Sequence, residues 1–275
     1  MEKVVFISGA SSGIGFDAAR ELAIKGCRVY AGARRVERME PLKAYGVTPL
    51  RLDVTDPVSR EMAVNAVLQA EGRIDVLVNN AGYGSFGAIE TISEEEARRQ
   101  LDVNLFGLSE LCRLVLPAMR ERGSGRIVNV ASVAGKAVIY FGGWYHVSKF
   151  AVEAFSDALR IEMKPFGVDV VIIEPGCIKT EWGAITADHL EESSRGTPYE
   201  KPALTEAELL RKFYASNWPS KPSVVTRGIV KASLCRHPRA RYRMGLGSHA
   251  LVTLHALLPT RLWDALFRLG GRIHI

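Results

Sequence analysis

The sequence is poor in cysteine and contains no long apolar segment. Its 275 residues include four cysteines, Cys27, Cys112, Cys177 and Cys235, which are far apart and form no CxxC pair, so neither a zinc site nor a disulfide framework is expected. The six histidines show no HxxH or HExxH spacing, and we therefore predict no catalytic metal. No apolar run reaches the ~18 residues of a membrane-spanning helix. A reducing, cytoplasmic location is the resulting expectation.

The sequence also lacks features that would direct it to a secretory pathway or to nucleic acid. A strand and a glycine loop begin within the first ten residues, so a cleavable signal peptide is not expected. The net charge is +6, but the arginines are spread along the chain apart from Arg34, Arg35 and Arg38 and a cluster from Arg236 to Arg243. Solvated surface charge is the preferred interpretation. Interleaved aromatics and docking motifs are missing, so no nucleic-acid partner is predicted.

Short apolar segments alternate with segments of helical periodicity over the first 180 residues. This alternation predicts an α/β fold with a doubly wound parallel sheet, in which ligands bind at the carboxyl ends of the strands. We expect a single domain over 1–275, with a cofactor-binding and catalytic core at 1–180 and a substrate lid and C-terminal helical cap at 181–275. The predicted core strands are Lys3–Ile7, Arg28–Ala31, Leu50–Leu52, Ile74–Val78, Arg126–Val130 and Val168–Glu174.

A glycine-rich loop follows the first predicted strand and precedes a helix, Asp17 to Lys25. Gly9 permits a tight turn, Gly13 lets the backbone approach a pyrophosphate, and Gly15 permits close packing of the helix on the strand. The N-terminus of the helix offers free N–H groups to an anion. Ordinary turns also use glycine, but the order strand, glycines, helix predicts a dinucleotide site. Its residues are Gly9, Ser11, Ser12, Gly13, Ile14 and Gly15.

Tyr145 and Lys149 lie four residues apart in a predicted helix, Trp144 to Lys164, and therefore project from the same face. An ammonium beside a phenol stabilises the phenolate, so we expect Lys149 to lower the pKa of Tyr145 from its usual ~10. Ser132 follows the predicted strand Arg126–Val130 and precedes Tyr145 by 13 residues. His146 points about 100° away around the helix, which favours a packing or surface role.

Three motifs together resemble the classical short-chain dehydrogenase/reductase family. They are the Gly-x-x-x-Gly-x-Gly spacing from Gly9 to Gly15, the run from Asn79 to Gly82, and Tyr145-x-x-x-Lys149. The resemblance covers residues 3 to 180, with Ser8 where the family usually has Thr and Ala131 where it often has Ser. It implies a Rossmann-like fold, a nicotinamide cofactor, and a homodimer or homotetramer through the helices that carry Asn104 and Tyr145.

The resemblance assigns four catalytic residues: Asn104, Ser132, Tyr145 and Lys149. Tyr145 would deliver a proton to the developing alkoxide while Ser132 binds the same oxygen. Lys149 would also hydrogen-bond the nicotinamide ribose, and Asn104 would link a bound water to Lys149. Two alternatives stay open, a structural amide for Asn104 and an ordinary turn hydroxyl for Ser132.

Cofactor choice depends on the residues after the second strand. An acidic side chain there would bind the ribose of NAD, but the chain reads Tyr30-Ala31-Gly32-Ala33-Arg34-Arg35. Arg34 can contact the 2′-phosphate of NADP, so NADP(H) is favoured over NAD(H), although both arginines could be merely solvated.

The resemblance adds further cofactor contacts. Asp53 and Val54 would contact the adenine, with a turn or a helix cap ahead of Pro57 as the alternative for Asp53. A structural strand-end turn is the alternative for the residues expected at the ribose. The remaining contacts are Asn80, Ala81 and Gly82 at the adenosine ribose, Pro175, Gly176, Ile178 and Thr180 at the nicotinamide, and the shared Tyr145 and Lys149.

The segment from Trp182 to Pro202 is polar and rich in turn residues, which is typical of a mobile lid. Trp182, Ile185 and Leu190 could cover an apolar ligand. Helix-like segments follow at Glu206–Ser216 and Val224–His237, and Arg241–Gly245 could be a last strand. The chain resembles the branch near hydroxysteroid and retinol dehydrogenases and acyl-dihydroxyacetone-phosphate reductases. This implies carbonyl reductase activity on a steroid, retinoid, lipid-like or aromatic substrate.

Leucines at helical spacing, from Leu251 to Leu269 and broken at Pro259, predict an amphipathic C-terminal tail. Packing over the substrate pocket or a partner subunit is favoured. Contact with an anionic membrane through these leucines and Arg261, Arg268 and Arg272 is the alternative. Two other functions stay open, a non-catalytic nucleotide-binding regulatory module and an NAD-dependent alcohol dehydrogenase.

Overall fold

A computed structural model describes the backbone of residues 2–272 and the side chains of residues 2–267. Its centre is a seven-stranded sheet in which every neighbouring pair is parallel, in the order β3-β2-β1-β4-β5-β6-β7. The order reverses direction between β1 and β4, where a doubly wound sheet opens its ligand crevice. The strands are β1 (Val4–Ser8), β2 (Arg28–Ala33), β3 (Thr48–Arg51), β4 (Val76–Asn79), β5 (Gly125–Val130), β6 (Val168–Pro175) and β7 (Arg241–Met244).

Both faces of the sheet are covered, which explains why its central strands are continuous apolar runs. Along β1, Val5 and Ile7 belong to one core while Val4 and Phe6 belong to the other. The helices are α1 (Gly13–Ile24), α2 (Pro57–Glu71), α3 (Glu94–Leu101), α4 (Gly107–Glu121), α5 (Gly143–Met163), α6 (Trp182–Ser194), α7 (Glu200–Ala215), α8 (Ser223–Leu234), α9 (Ser248–Leu257) and α10 (Thr260–Arg272).

The predicted α/β fold and its parallel sheet are confirmed. The six predicted core strands are all present, displaced by up to two residues at their ends, and the last strand is β7. The segment from Trp182 to Pro202 differs from the predicted turn-rich lid, because its first 13 residues form the helix α6. The inward face of α6 carries Gly183, Thr186, Ala187 and Ser194, all buried. Small residues let α6 and α7 pack closely, and the same residues gave the segment its loop-like composition.

The C-terminal tail forms two helices, α9 and α10, separated at Pro259 as predicted. Trp263 is buried, and its indole N–H donates to the carbonyl of Val138 at 2.9 Å, which docks α10 on the loop after β5. Leu254 and Leu262 remain exposed. The side chains of Arg268, Leu269 and Arg272 lie outside the described residues. Within residues 2–272, none of the helices has the length and apolar character needed to cross a bilayer.

Candidate functional site

A single cavity of about 580 Å³ opens at the carboxyl ends of β1, β2, β4, β5 and β6 and is closed on one side by α6. It contains nearly all of the residues singled out in the sequence. The predicted residues that line it are Gly9, Ser11, Ser12, Gly13, Ile14, Arg34, Arg35, Asp53, Val54, Asn80, Ala81, Gly82, Ser132, Tyr145, Lys149, Pro175, Gly176, Ile178 and Thr180. Gly15 and Asn104 are predicted site residues that do not line it; each packs directly behind the wall.

The glycine loop is shaped by contacts that leave no room for side chains. Gly9 has φ +71°, and a Cβ there would lie 2.6 Å from the Ala81 Cα. A Cβ on Gly15 would lie 2.3 Å from the Gly9 carbonyl oxygen, so Gly15 serves the packing of α1 on β1. Gly13 has φ +56° and faces the cavity, with only the Thr180 side chain within 4 Å of a Cβ. The loop therefore presents bare backbone to a ligand.

Ser8 and Asn80 hold this loop against the end of β4. The Ser8 hydroxyl accepts hydrogen bonds from the backbone N–H groups of Asn80 and Ala81, at 3.1 and 3.2 Å. The Asn80 amide donates to the carbonyls of Ser8 and Gly9, at 3.3 and 3.0 Å. Ser8 thus supplies the hydroxyl that the usual Thr would supply. Asn80 therefore has the structural role in a strand-end turn that was the alternative to a ribose contact. It also lines the cavity, where it would lie beside a bound ligand.

Two basic side chains lie at the β2 end of the cavity. Arg34 and Arg35 are both exposed, and Arg35 donates to the Ser11 hydroxyl at 3.4 Å. On the adjacent strand end, the Asp53 carboxylate accepts from the backbone and the hydroxyl of Thr55, at 3.0 and 2.7 Å. Asp53 therefore forms a turn, whereas the cap of α2 is Asp56. The helix-cap alternative for Asp53 is wrong.

Tyr145, Ser132 and Lys149 meet at the opposite end of the cavity. The Ser132 hydroxyl accepts from the Ala134 N–H at 3.1 Å and is hydrogen-bonded to the Tyr145 phenol. The Lys149 ammonium donates to the Val130 carbonyl at 3.0 Å and lies 5.9 Å from the centre of the Tyr145 ring. All three side chains are at least nine-tenths buried. Strand β5 and helix α5 thus deliver a hydroxyl, a phenol and a cation to one point.

Burial controls the ionisation of this cluster. Desolvation raises the pKa of Tyr145 to about 12, although the hydrogen bond from Ser132 opposes the shift. Desolvation lowers the pKa of Lys149 to about 8, and the negative charge of Glu153 opposes that shift. The expected depression of the Tyr145 pKa is therefore not found with the protein groups alone, because withdrawal from water disfavours the phenolate more than its neighbours stabilise it. The phenol is protonated at neutral pH.

Asn104 lies behind the cavity in a π-helical turn, Asp102–Phe106, between α3 and α4. Its side-chain oxygen accepts from the Tyr83 N–H at 3.0 Å. Its amide N–H groups donate to the Tyr83 carbonyl and the Ser148 hydroxyl, both at 3.0 Å. The amide of Asn104 is thus occupied by protein groups, and it fixes the loop after β4 to α5.

His146 is buried beside Tyr145 and faces the loop after β5. Its Nδ1 lies 2.9 Å from the Ala134 carbonyl, and its Nε2 accepts from the Ile139 N–H at 3.1 Å. This pair of contacts assigns the proton to Nδ1 of a neutral ring. Burial also lowers the pKa of His146. The predicted packing role is confirmed, and the alternative of a surface position is wrong.

Aromatic side chains form the wall opposite the glycine loop. The Trp182 ring lies 5.4 Å from Tyr145, 5.7 Å from Phe86 and 5.6 Å from Tyr214, measured between ring centres. Trp182 and Ile185 line the cavity as predicted, but Leu190 is fully buried against other residues and does not. Helical periodicity explains this, since residues 182, 185 and 189 share one face and 190 lies beside it.

The sequence analysis missed several residues of this wall: Tyr83, Phe86, Arg99, Ile139, His189, Tyr214 and Leu251. The sequence did contain one signal, the run Gly84-Ser85-Phe86-Gly87 with its two glycines. In the structure Gly84 packs closely on the lid, since a Cβ on Gly84 would lie 2.8 Å from the Trp182 ring. Tyr83 and Ile139 lie in loops, and Arg99, His189, Tyr214 and Leu251 belong to helices; tertiary packing sets where all of these side chains lie in the cavity.

The cavity fits a nicotinamide dinucleotide on its own chemistry. Ser12, at the N-terminus of α1, forms no side-chain cap, so the first N–H groups of the helix face the cavity beside Gly13 without a side-chain partner. Such N–H groups bind the oxygens of a diphosphate. The cationic side chains of Arg34 and Arg35 lie at one end of the cavity, and the Tyr145 phenol, a proton donor, lies at the other end. Among the described residues, no group of three or more His, Cys, Asp or Glu side chains is placed to hold a metal ion.

Comparison with known proteins agrees with this geometry. The family described as short chain dehydrogenase matches residues 3–190. A probable short-chain type dehydrogenase/reductase, VdlC of Helicobacter pylori, is 35% identical over 265 residues, with 96% of each chain covered. The 17-beta-hydroxysteroid dehydrogenase type 6 of Rattus norvegicus is 35% identical, with 98% of this chain and 89% of the relative covered.

Solved structures give the same result. The crystal structure of a short-chain dehydrogenase from Streptomyces avermitilis superposes with a TM-score of 0.80 at 32% identity and covers 99% of this chain and 98% of its own. A variant of actinorhodin polyketide ketoreductase, solved with NADPH, superposes with a TM-score of 0.72 at 31% identity and covers 84% of this chain and 90% of its own. The chain belongs to the short-chain dehydrogenase/reductase family of oxidoreductases.

Proposed function

We propose that the protein is an NADP-dependent oxidoreductase that interconverts a ketone or aldehyde with an alcohol on a hydrophobic substrate. The observation that carries the proposal is one cavity with Arg34 and Arg35 at one end and Tyr145, Ser132 and Lys149 at the other, joined by the glycine loop. A structural neighbour solved with NADPH supports the choice of nucleotide.

NADP(H) rather than NAD(H) is favoured by charge at the β2 end. The strand ends at Ala33 and is followed by two exposed arginines in the cavity wall, where an acid would be needed to select NAD. A guanidinium can form paired hydrogen bonds with a phosphate, so Arg34 and Arg35 would hold the 2′-phosphate. The diphosphate would lie against Gly13, and the nicotinamide would lie between Thr180 and Tyr145.

When bound, the nicotinamide cofactor would supply a hydride for the carbonyl carbon, or take one up in the reverse direction. The Tyr145 phenol donates its proton to the carbonyl oxygen, and the Ser132 hydroxyl binds the same oxygen as negative charge grows. A pKa of about 12 keeps Tyr145 protonated at neutral pH, which is the form that carbonyl reduction requires. Lys149 binds the nicotinamide ribose and stabilises the phenolate that remains.

Asn104 contributes to proton supply in this proposal through its backbone. Its side-chain amide is committed to Tyr83 and Ser148, so it has no N–H left for a water. The π-helical turn Asp102–Phe106 interrupts the regular pattern of carbonyl partners, which is common at functional sites. A carbonyl of this turn would hold the water that links Lys149 to solvent.

The substrate would be an apolar carbonyl compound. Phe86, Ile139, Trp182, Tyr214 and Leu251 line the part of the cavity beyond Tyr145. This surface suits a steroid, retinoid, lipid-like or aromatic ketone, and a hydroxysteroid dehydrogenase among the relatives supports that choice.

A homodimer or homotetramer is proposed through the helices that carry Asn104 and Tyr145. Phe106, Val147 and Phe150 lie on these helices and are 54%, 49% and 40% exposed. Large apolar side chains grouped on one surface favour burial by a second copy. Light scattering after size-exclusion chromatography would test this, and a monomeric mass would contradict it. We also propose a cytoplasmic location.

The experiment follows oxidation of NADPH and of NADH with a panel of steroid, retinoid, lipid-like and aromatic carbonyls. The matched variant is Tyr145→Phe, which removes one hydroxyl and keeps the ring packed on Trp182. We expect turnover with NADPH preferred and a loss of about a thousandfold in Tyr145→Phe. Nucleotide binding without turnover of any carbonyl, or turnover unchanged in Tyr145→Phe, would favour a non-catalytic binding module. A preference for NADH would favour an NAD-dependent alcohol dehydrogenase.

A further inference from the structure

A polar group of three side chains lines the cavity and has no part in the proposed mechanism. Arg99 of α3, His189 of α6 and Tyr83 of the loop after β4 all line the cavity. The Arg99 guanidinium lies 5.9 Å from the centre of the Tyr83 ring. The centre of the His189 ring lies 6.0 Å from the centre of the same Tyr83 ring. Three separate elements thus place two nitrogen-rich side chains around one aromatic ring.

The hydrogen-bonding capacity of these side chains is largely unused. Within the part of the chain that the structure describes, neither the Arg99 guanidinium nor the His189 ring forms a hydrogen bond with a protein group. Glu96 is the one carboxylate within 4.0 Å of Arg99. Glu96 itself accepts a hydrogen bond from the Tyr83 hydroxyl at 2.8 Å. Arg99 therefore retains N–H donors, and a histidine ring offers at least one N–H in either charge state.

The position of the group relative to Tyr145 follows from α6. Trp182, Ile185 and His189 line the cavity at intervals of three and four residues, so they form one stripe along the helix. The Trp182 ring lies against Tyr145, with 5.4 Å between ring centres. At a rise of 1.5 Å per residue, His189 lies about 10 Å further along the same helix. An elongated apolar ligand that begins at Tyr145 and follows α6 would end between His189 and Arg99.

We infer that Arg99, His189 and Tyr83 form a subsite for an anionic oxygen group, a carboxylate or phosphate, carried by the substrate about 10 Å from its reacting carbonyl. The inference rests on the proposed function and narrows its substrate class to apolar ketones or aldehydes with an acidic far end. A guanidinium and an imidazole N–H bind such a group with charge-assisted hydrogen bonds. The diphosphate of the cofactor is the other possible source of the same chemistry.

The test compares a medium-chain ω-oxo fatty acid with its methyl ester, which has the same aldehyde and chain but no charge. We expect the wild type to prefer the acid by about tenfold in kcat/KM. In Arg99→Gln this preference is lost through a higher KM for the acid, whereas KM for the ester changes by less than about twofold. Arg99→Lys retains part of the preference, and His189→Gln reduces it by a few fold.

The matched control is Arg98→Gln on the same helix. Arg98 is ion-paired with Glu94 at 2.7 Å and does not line the cavity, so this variant should keep the preference for the acid. An equal loss for acid and ester in Arg99→Gln would overturn the inference. So would a weaker affinity for NADPH, measured by titration of nucleotide fluorescence, because it would assign Arg99 to the cofactor.

Failure of the proposed function is detected separately. Quenching of tryptophan fluorescence measures binding of the acid and the ester to the Tyr145→Phe variant loaded with NADP⁺, without turnover. Tighter binding of the acid that is lost on adding Arg99→Gln supports the subsite even if neither compound is reduced. Equal binding of acid and ester before and after that substitution overturns it.

Discussion

Two walls of the cavity are built in different ways. The cofactor wall consists of the glycine loop from Gly9 to Ile14, the turn Asn80–Gly82 and the segment Pro175–Thr180, and its glycines present bare backbone. The lid wall consists of Trp182, Ile185, His189, Tyr214 and Leu251, and it presents side chains from helices. A wall of bare backbone can bind the same type of ligand in many proteins, because the geometry of the backbone varies little with sequence. Side chains of the lid wall can be changed one at a time without disturbing the cofactor wall.

Tyr145, Ser132 and Lys149 lie where the two walls meet. The Tyr145 ring touches Trp182 of the lid wall, while Lys149 reaches back to the Val130 carbonyl at the end of β5. Chemistry should therefore depend on both walls, nucleotide affinity on the cofactor wall, and substrate choice on the lid wall.

The largest effect is expected at the junction. Lys149→Met keeps a chain of similar length and removes the ammonium near Tyr145. We expect kcat/KM with the best carbonyl of the panel to fall by about a thousandfold, because the phenolate left after proton transfer loses its counter-charge. Steady-state NADPH oxidation measures this. Activity within tenfold of wild type would show that Lys149 takes no part in the reaction.

The cofactor wall should decide the nucleotide. In Arg34→Asp an acid replaces the guanidinium after β2, and we expect kcat/KM for NADPH to fall about a hundredfold while that for NADH stays equal or rises. The control is Arg38→Ala, since Arg38 pairs with Glu181 at 3.5 Å and does not line the cavity. An equal loss for both nucleotides in Arg34→Asp would exclude a 2′-phosphate contact.

A matched pair of glycines separates the two walls. A Cβ on Gly15 would lie 2.3 Å from the Gly9 carbonyl oxygen, and a Cβ on Gly183 would lie 2.3 Å from the Tyr214 ring. Overpacking of this kind costs about 1–3 kcal/mol at either site. Gly15→Ala should weaken NADPH binding about tenfold, because the clash lies in the backbone of the loop. Gly183→Ala should leave NADPH binding unchanged and raise KM for the carbonyl about fivefold, as Tyr214 moves.

Titration of NADPH against each purified variant, followed by carbonyl saturation curves, measures both quantities. The comparison of the walls fails if Gly183→Ala weakens NADPH binding as much as Gly15→Ala does. Thermal unfolding serves as the control that both variants are folded at the assay temperature.

The difference between the walls also explains how far the sequence could be interpreted. The glycine loop, the Asn79–Gly82 run and the Tyr145–Lys149 pair were recognised because a backbone site and a reaction centre require fixed residue types at fixed spacing. The α/β order followed from short apolar strands between helices. Along the lid wall the sequence predicted Trp182 and Ile185 but misplaced Leu190 and omitted His189, Tyr214 and Leu251.

Two physical reasons account for those errors. The composition of 182–202 resembled a loop, because the buried residues of α6 are small apart from Leu190 and include a glycine and two hydroxyl side chains. The expected depression of the Tyr145 pKa is not found with the protein groups alone, because a charge partner is visible in a sequence and the extent of desolvation is not. The division of the chain at residue 180 and the roles of the site residues stay predictions.

The smallest expected effect concerns stability. It tests whether the buried Lys149 ammonium at the junction of the two walls destabilises the folded protein. Burial lowers the pKa of Lys149 from 10.5 to about 8, so the folded protein binds the proton less tightly than the unfolded chain. Stability should therefore rise with pH between about 8 and 10.5, because the unfolded state carries more protons in that window. Below pH 8 the buried ammonium costs free energy, on the order of 3 kcal/mol.

Lys149→Met removes this cost, and the inactive variant should unfold at a higher temperature than the wild type at pH 7. The difference should shrink as the pH is raised from 8 towards 10.5, because the folded protein then holds Lys149 neutral and no longer pays to bury an ammonium. Thermal unfolding of both proteins at pH 7 and pH 10 measures it, with Lys25→Met, an exposed position, as the control. A variant that is less stable than wild type at pH 7 would mean that the bond from Lys149 to the Val130 carbonyl outweighs desolvation. Lys149 would then stabilise the junction of the two walls instead of destabilising it.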